Sequence, residues 1–338
     1  MAALAPAPWN KRTRRDSRAT ANIVPVGSTE TRCARSVENV KRVTPSTSQL
    51  IAIRGLSYHV RSWGKPGAPK LFMLHGWMDV GASFQFLVDA LVRDWFVIAP
   101  DWRGFGRSEW CPDGYWFVDY LADLEALLDH FSPGEAARVV GHSLGGNVAC
   151  LFAGIRPARI SHAISLDGFG IPAEGPEVAP DKIAKWLDAL RDPPSFAPYP
   201  SLAAVADRLQ KSNPRLARDK ADFLAAHWAE VLPDGSARLV SDPRHKLPFP
   251  HVYRMEEVLA IWRRVTAAVL WIDGKDSFVL RWLAGVGDDG KSDAGAELKR
   301  RMAAFSDCRL LTISGAGHML HHDQPVAVAS AIEAFLGA

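Results

Sequence analysis

The sequence predicts an α/β protein: a mostly parallel sheet of eight strands, helices on both faces, and a helical cap inserted over one end. Three observations carry this. From Leu50 onward, short β-rich runs alternate with longer helical runs, the pattern of a parallel sheet covered by helices. Residues 170–265 break that alternation with prolines and helical runs. The composition, 48% hydrophobic and 23% charged over 338 residues, gives ample apolar material for a sizeable core.

The elements follow in order. Leu50–Arg54 and Ser57–Ser62 read as two early strands joined at Gly55. Leu71–Leu74 and Phe96–Ala99 are short apolar runs of buried-strand type. Val139–Val140 leads into Gly141, and Ala163–Leu166, Val269–Ile272 and Leu310–Ile313 complete the eight. Between them Phe84–Val92 and Phe117–Phe131 read as helices; Phe117, Leu121, Leu124, Leu128 and Phe131 share one face at helical spacing. A last helix follows Pro325 and ends near Gly337. The insertion carries helical runs at Ile183–Arg191, Leu202–Gln210, Asp219–Val231 and Met255–Val265, with no strand-like run comparable to those of the sheet. The expected organisation is therefore a core of residues 49–169 and 266–338 with a cap of residues 170–265.

Residues 1–48 have a different character. Nine basic against three acidic residues give this segment +6 and leave the other 290 residues at −3, from a total of +3. Rich in Ser, Thr, Ala and Pro and poor in apolar periodicity, it is expected to be a disordered basic extension. A cytoplasmic protein is expected, or an organellar one if this arginine-rich leader is a transit peptide. The near-neutral total makes no case for a nucleic-acid partner. No apolar stretch reaches 18 residues, so no membrane span is expected. Cys33, Cys111, Cys150 and Cys308 lie far apart, which excludes a disulfide framework, a zinc ribbon and a C-x-x-C redox site.

The chemistry concentrates in three places. Gly141-His142-Ser143-Leu144-Gly145-Gly146 sits between a strand run and a helical run, the G-x-S-x-G nucleophile elbow. The turn forces strained angles on the nucleophile and small neighbours two residues away, a need that Gly141 and Gly145 meet. An oxyanion needs two backbone donors: one from Leu144, just after the nucleophile, and one from Trp77 in the His75-Gly76-Trp77 loop. His75 is read as a residue that holds this loop rather than a proton carrier. A serine hydroxyl also needs a base, and His318 in Gly315-Ala316-Gly317-His318 follows the last strand. His321 and His322 are expected at the start of the last helix, near Asp323 and Pro325, and a metal site of His318, His321 and His322 is not expected. The acid orienting the base is first sought at Asp276, after the strand ending at Ile272, with Asp167 and Asp273 as alternatives. Asp276 and Asp167 both keep the order Ser–Asp–His.

Four motifs in this order resemble the α/β-hydrolase superfamily over about residues 50–338: Leu74-His75-Gly76-Trp77, the D-x-R-G-x-G-x-S loop Asp101–Ser108, Gly141–Gly146, and Gly315–Pro325. The runs Asp242–Lys246 and Tyr253–Glu257 look like the cap end of its serine-hydrolase-like branch. The resemblance implies a catalytic triad of Ser143, His318 and an acid, and a structural role for Asp101–Ser108. Relatives that open epoxides or displace halide carry Asp in the elbow, so Ser143 disfavours those activities. The expected reaction is hydrolysis of a small or medium carboxylic ester through an acyl-enzyme on Ser143, with no cofactor and no metal. An acyltransferase, a C–C bond hydrolase or a cofactor-free haloperoxidase would use the same triad, and a non-catalytic ligand-binding protein is a further alternative. The partner is then a small-molecule acyl substrate, for which Met78, Phe105, His142 and Trp186 are candidate pocket residues.

Overall fold

A computed structural model of the chain describes residues 43–284 and 294–337. Residues 1–42 of the expected extension lie outside the described residues, while its last three, 46–48, already belong to the first strand. The elements in chain order are β1 (Ser46–Ile53), β2 (Leu56–Trp63), β3 (Lys70–Leu74), α1 (Gln85–Val88), β4 (Phe96–Pro100), α2 (Phe117–Phe131), β5 (Ala137–His142), α3 (Leu144–Ile155) and β6 (Ile160–Leu166). Then come α4 (Ala179–Arg191), α5 (Leu202–Ser212), α6 (Arg218–Trp228), β7 (Ala229–Val231), β8 (Ala237–Leu239) and α7 (Met255–Trp262). The chain returns through β9 (Ala268–Gly274), α8 (Val279–Leu283), α9 (Ala294–Met302), β10 (Cys308–Ile313), α10 (Leu320–Asp323) and α11 (Pro325–Gly337).

Eight strands form one sheet in the order β1-β2-β4-β3-β5-β6-β9-β10. β1 and β2 pair antiparallel, β2 runs antiparallel to β4, and the remaining neighbours are parallel. Parallel strands need crossover connections, and the helices that supply them cover both faces. On one face Phe72, Val139 and Trp271 pack with Leu124 of α2, Phe152 of α3 and Trp262 of α7. On the other, Met73, Val140 and Ile272 pack with Leu87 of α1, Leu320 of α10 and Ile332 of α11. The central strands β3, β5 and β6 are buried almost throughout, so their C-terminal tips are held rigidly.

Two expectations of detail change. The run read as a helix over Phe84–Val92 is a 3₁₀ turn at Gly81–Phe84 followed by α1, which ends at Val88. The Glu333 carboxylate accepts from the amides of Val92 and Arg93, drawing the chain out of helical form. In the insertion, the helical run read to Val231 stops at Trp228, and β7 pairs antiparallel with β8 as a hairpin. Ala229 and Ala237 of this hairpin complete a small apolar core with Val205 and Leu209 of α5 and Leu224 of α6. The insertion lies between β6 and β9, beyond the strand tips.

Candidate active site

Ser143 stands between β5 and α3 with φ 50° and ψ −111°, a strained conformation for a residue with a side chain. The turn has no room for larger neighbours. A Cβ on Gly141 would lie 2.2 Å from the Gly145 carbonyl carbon, and one on Gly145 would lie 2.1 Å from the Leu74 oxygen. The Ser143 amide donates to the Leu166 carbonyl at 2.9 Å, tying the elbow to β6. Its own carbonyl accepts from Asn147, the first full turn of α3.

The loop after β3 approaches the elbow closely. A Cβ on Gly76 would lie 2.8 Å from His142 Nδ1 and 3.4 Å from Ser143 Cβ. Met78 in this loop adopts φ 58°. Neither the Trp77 nor the Leu144 backbone N–H has a backbone acceptor among the described residues. His75 is wholly buried: its Nδ1 donates to the Gly76 carbonyl at 2.7 Å and its Nε2 accepts from the Trp102 amide at 2.8 Å. Burial lowers its pKa to about 4, so the ring is neutral and fully engaged in holding the loop. The Asp101–Ser108 segment is likewise held by structural bonds: Asp101 accepts from His59, Gly81 and Arg107, and Arg103 forms a paired bond to buried Asp123.

His318 follows β10, and its Nδ1 donates to Asp167 Oδ2 at 2.6 Å. This corrects the expectation for the acid. Asp276 instead faces solvent and pairs with Arg215 at 2.8 Å, while its amide is tied to the Ala316 carbonyl. Asp273 is buried at the end of β9, where desolvation raises its pKa, and it has no bond to His318. Asp167 sits at the tip of β6 with φ 53°, its side chain fully buried. Ser277 Oγ donates to the same Oδ2 at 2.6 Å. Arg301, buried on α9, donates to the carbonyls of Phe169 and Ile171 and so fastens the segment that follows the acid. The residue before the elbow completes the link, since His142 Nε2 donates to the His318 carbonyl at 2.9 Å. The structure thus joins His318, in the loop after β10, to Asp167 at the tip of β6, ties that loop to the elbow through His142, and leaves Asp276 outside.

A cavity of about 480 Å³ opens beside Trp77 and Leu144. Tyr115, Trp116, Trp186, His245 and Phe249 line it, so aromatic rings form a large part of its wall. Three residues expected in a pocket do not line it. Phe105 is fully buried behind His245, Met78 packs into the core, and His142 is buried with its ring turned to the His318 loop. His245, which the sequence reading did not single out, is sandwiched between Phe105 and Tyr115 with ring centroids 3.7 and 3.6 Å away. Its Nε2 donates to the Arg103 carbonyl, and burial lowers its pKa to about 3, so it presents a neutral flat face. Its only sequence signal was its place in the Asp242–Lys246 run.

A family model described as alpha/beta hydrolase fold matches residues 69–325. A serine hydrolase-like protein of Danio rerio is 27% identical over 289 residues, covering 81% of this chain and 83% of the relative. A protein of Mycobacterium tuberculosis named Lipase LipV is 32% identical over 144 residues, 42% of this chain and 51% of its own length. Among solved structures, a thioesterase domain from a curacin biosynthetic pathway superposes with a TM-score of 0.75 at 23% identity, covering 86% of this chain and 99% of that one.

Proposed function

This chain belongs to the α/β-hydrolase fold family, and from that premise we propose that it is a serine hydrolase cleaving small or medium carboxylic esters. The observation that carries the reading is the 2.6 Å bond from His318 Nδ1 to buried Asp167, in a loop tied by His142 to the elbow where Ser143 is held at φ 50°. A proton fixed on Nδ1 leaves Nε2 as the lone pair that takes the Ser143 proton. Ser143 Oγ then attacks the ester carbonyl carbon, and the Trp77 and Leu144 amides receive the oxyanion. Collapse breaks the bond to the alkoxide, which leaves with the proton from His318. Water, deprotonated by His318, attacks the acyl carbon, the bond to Ser143 Oγ breaks, and His318 returns the proton to Oγ as the acid is released. Asp167 orients the imidazole and stabilises its charged form, as a triad acid does. The aromatic cavity supports an apolar acyl or aryl group, since such a site gains most from burying flat apolar surface.

A fluorophosphonate probe tests the nucleophile. Labelling of wild type but not of Ser143→Ala is the expected result, with hydrolysis of p-nitrophenyl esters lost in the same variant. Equal labelling of both proteins would place the nucleophile elsewhere, and an unlabelled, folded wild type would refute the activity.

A further inference from the structure

Behind the His318 loop lies a second cluster that the proposed reaction does not use. We propose that Asp79 Oδ2, His142 Nδ1 and a ring nitrogen of His321 form a buried site for one divalent transition-metal ion. All three residues are more than nine-tenths buried, and their candidate ligand atoms lie within 4.8 Å of one another. Asp79 Oδ2, His142 Nδ1 and both ring nitrogens of His321 have no hydrogen-bond partner among the described residues.

The arithmetic of donors shows what the cluster lacks. His142 Nε2 faces a carbonyl, which only accepts, so Nε2 carries the proton and Nδ1 offers a lone pair. Asp79 Oδ1 already accepts from the Val80 amide, Ser83 Oγ and Trp228 Nε1, which fixes the carboxylate and turns Oδ2 toward the two rings. Neutral His321 adds one N–H and one further lone pair. Its single N–H can satisfy only one of the other two acceptors, and an acceptor left unpaired in such a place is costly. A cation satisfies all three at once. The rings are close enough for this, with His142 and His321 centroids 4.5 Å apart. Two imidazoles and a carboxylate match the preference of Zn²⁺ and its neighbours rather than of Ca²⁺ or Mg²⁺, which favour all-oxygen sets. Bonds of about 2 Å set tetrahedral donors roughly 3.3 Å apart, so binding draws the three side chains inward. The site shares no ligand with the expected triad, although the His318 ring lies 4.8 Å from that of His142 and its carbonyl accepts from Nε2, and the proposal stands apart from the hydrolase reading.

Equilibrium dialysis of the full-length protein against Co²⁺ or Zn²⁺, with bound metal counted by mass spectrometry, tests it. One ion per chain is expected in wild type and in His318→Asn, with at least tenfold weaker binding in Asp79→Asn and in His321→Gln. Binding untouched by both latter substitutions, or lost in His318→Asn but kept in His321→Gln, overturns the site. So does a folded wild type that takes up no metal, which would leave a proton on His321 as the occupant. Should either variant misfold, X-ray absorption of the wild-type Zn²⁺ complex decides: two imidazoles with a carboxylate oxygen support the site, and any other set refutes it.

Discussion

Asp167 and Asp276 follow the tips of adjacent strands, β6 and β9, and both lie between Ser143 and His318 in the chain. Nothing local separates them. What separates them is burial: Asp167 is enclosed and accepts from both His318 and Ser277, whereas Asp276 shares an exposed pair with Arg215. Exposed pairs contribute about 0–1 kcal/mol, so Asp276→Asn is expected to leave turnover within about twofold of wild type. Asp167→Asn keeps the shape but frees the imidazole tautomer, and a loss of roughly 10³–10⁴ in kcat is expected. Steady-state kinetics on one p-nitrophenyl ester compares the two. A silent Asp167→Asn beside a crippled Asp276→Asn would reverse the assignment. Ser143 and His318 were legible because each sits in a motif whose glycines announce the backbone geometry. The aspartate that accepts from His318 has no such motif, only a following Gly168, whose absent Cβ leaves room for the Ser143 carbonyl.

At the scale of elements, strands and long helices were legible from periodicity, and short pieces were not. The hairpin strands β7 and β8 have three residues each, too few for a period to register. They form because Val231 pairs with Ala237 across a turn at Gly235, which adopts φ 83°. α4 shows the opposite case: its existence was legible, its purpose was not. It buries none of its residues fully, and Ile183, Leu187 and Leu190 stay exposed, so its packing is slight. Its Trp186 faces the cavity wall and lies 6.0 Å from the Trp116 ring. Trp186→Ala is therefore expected to act on substrate binding more than on stability. KM for aryl or medium-chain esters should rise about tenfold, the worth of roughly 1.4 kcal/mol of apolar contact, with kcat changed less than about threefold. Acetate esters, too short to reach the wall, serve as the comparison; an equal KM rise there would argue against a pocket role.

At the scale of the whole molecule, buried histidines set the response to acid. His75 and His245 have pKa values lowered to about 4 and about 3 by burial, against about 6.5 when unfolded. Between those values the unfolded chain binds protons that the folded chain refuses, so stability falls as pH drops below about 6.5. At pH 5.5 each histidine costs about 1–2 kcal/mol relative to pH 7.5. Asp79 works in the opposite sense, because burial raises its pKa to about 6 and the folded state gains a proton there, offsetting about 1 kcal/mol. Urea unfolding at the two pH values is expected to show a lower midpoint at pH 5.5, and a midpoint that rises on acidification would contradict the neutral state of these rings. No helix among the described residues is long and apolar enough to cross a membrane.

The sequence by itself determined the fold class, the eight strands, the tight turn at Ser143 and the loop that carries His318. Each is written in local patterns: a period of two or 3.6, or glycines demanded by a turn with no space for a Cβ. Tertiary structure alone decided the rest. Which strand tip's aspartate accepts from His318, which aromatic rings face the cavity, and that Asp79, His142 and His321 meet behind it all depend on crossovers between residues far apart in the chain. Side-chain type and spacing along one strand carry no information about which other strand lies beside it.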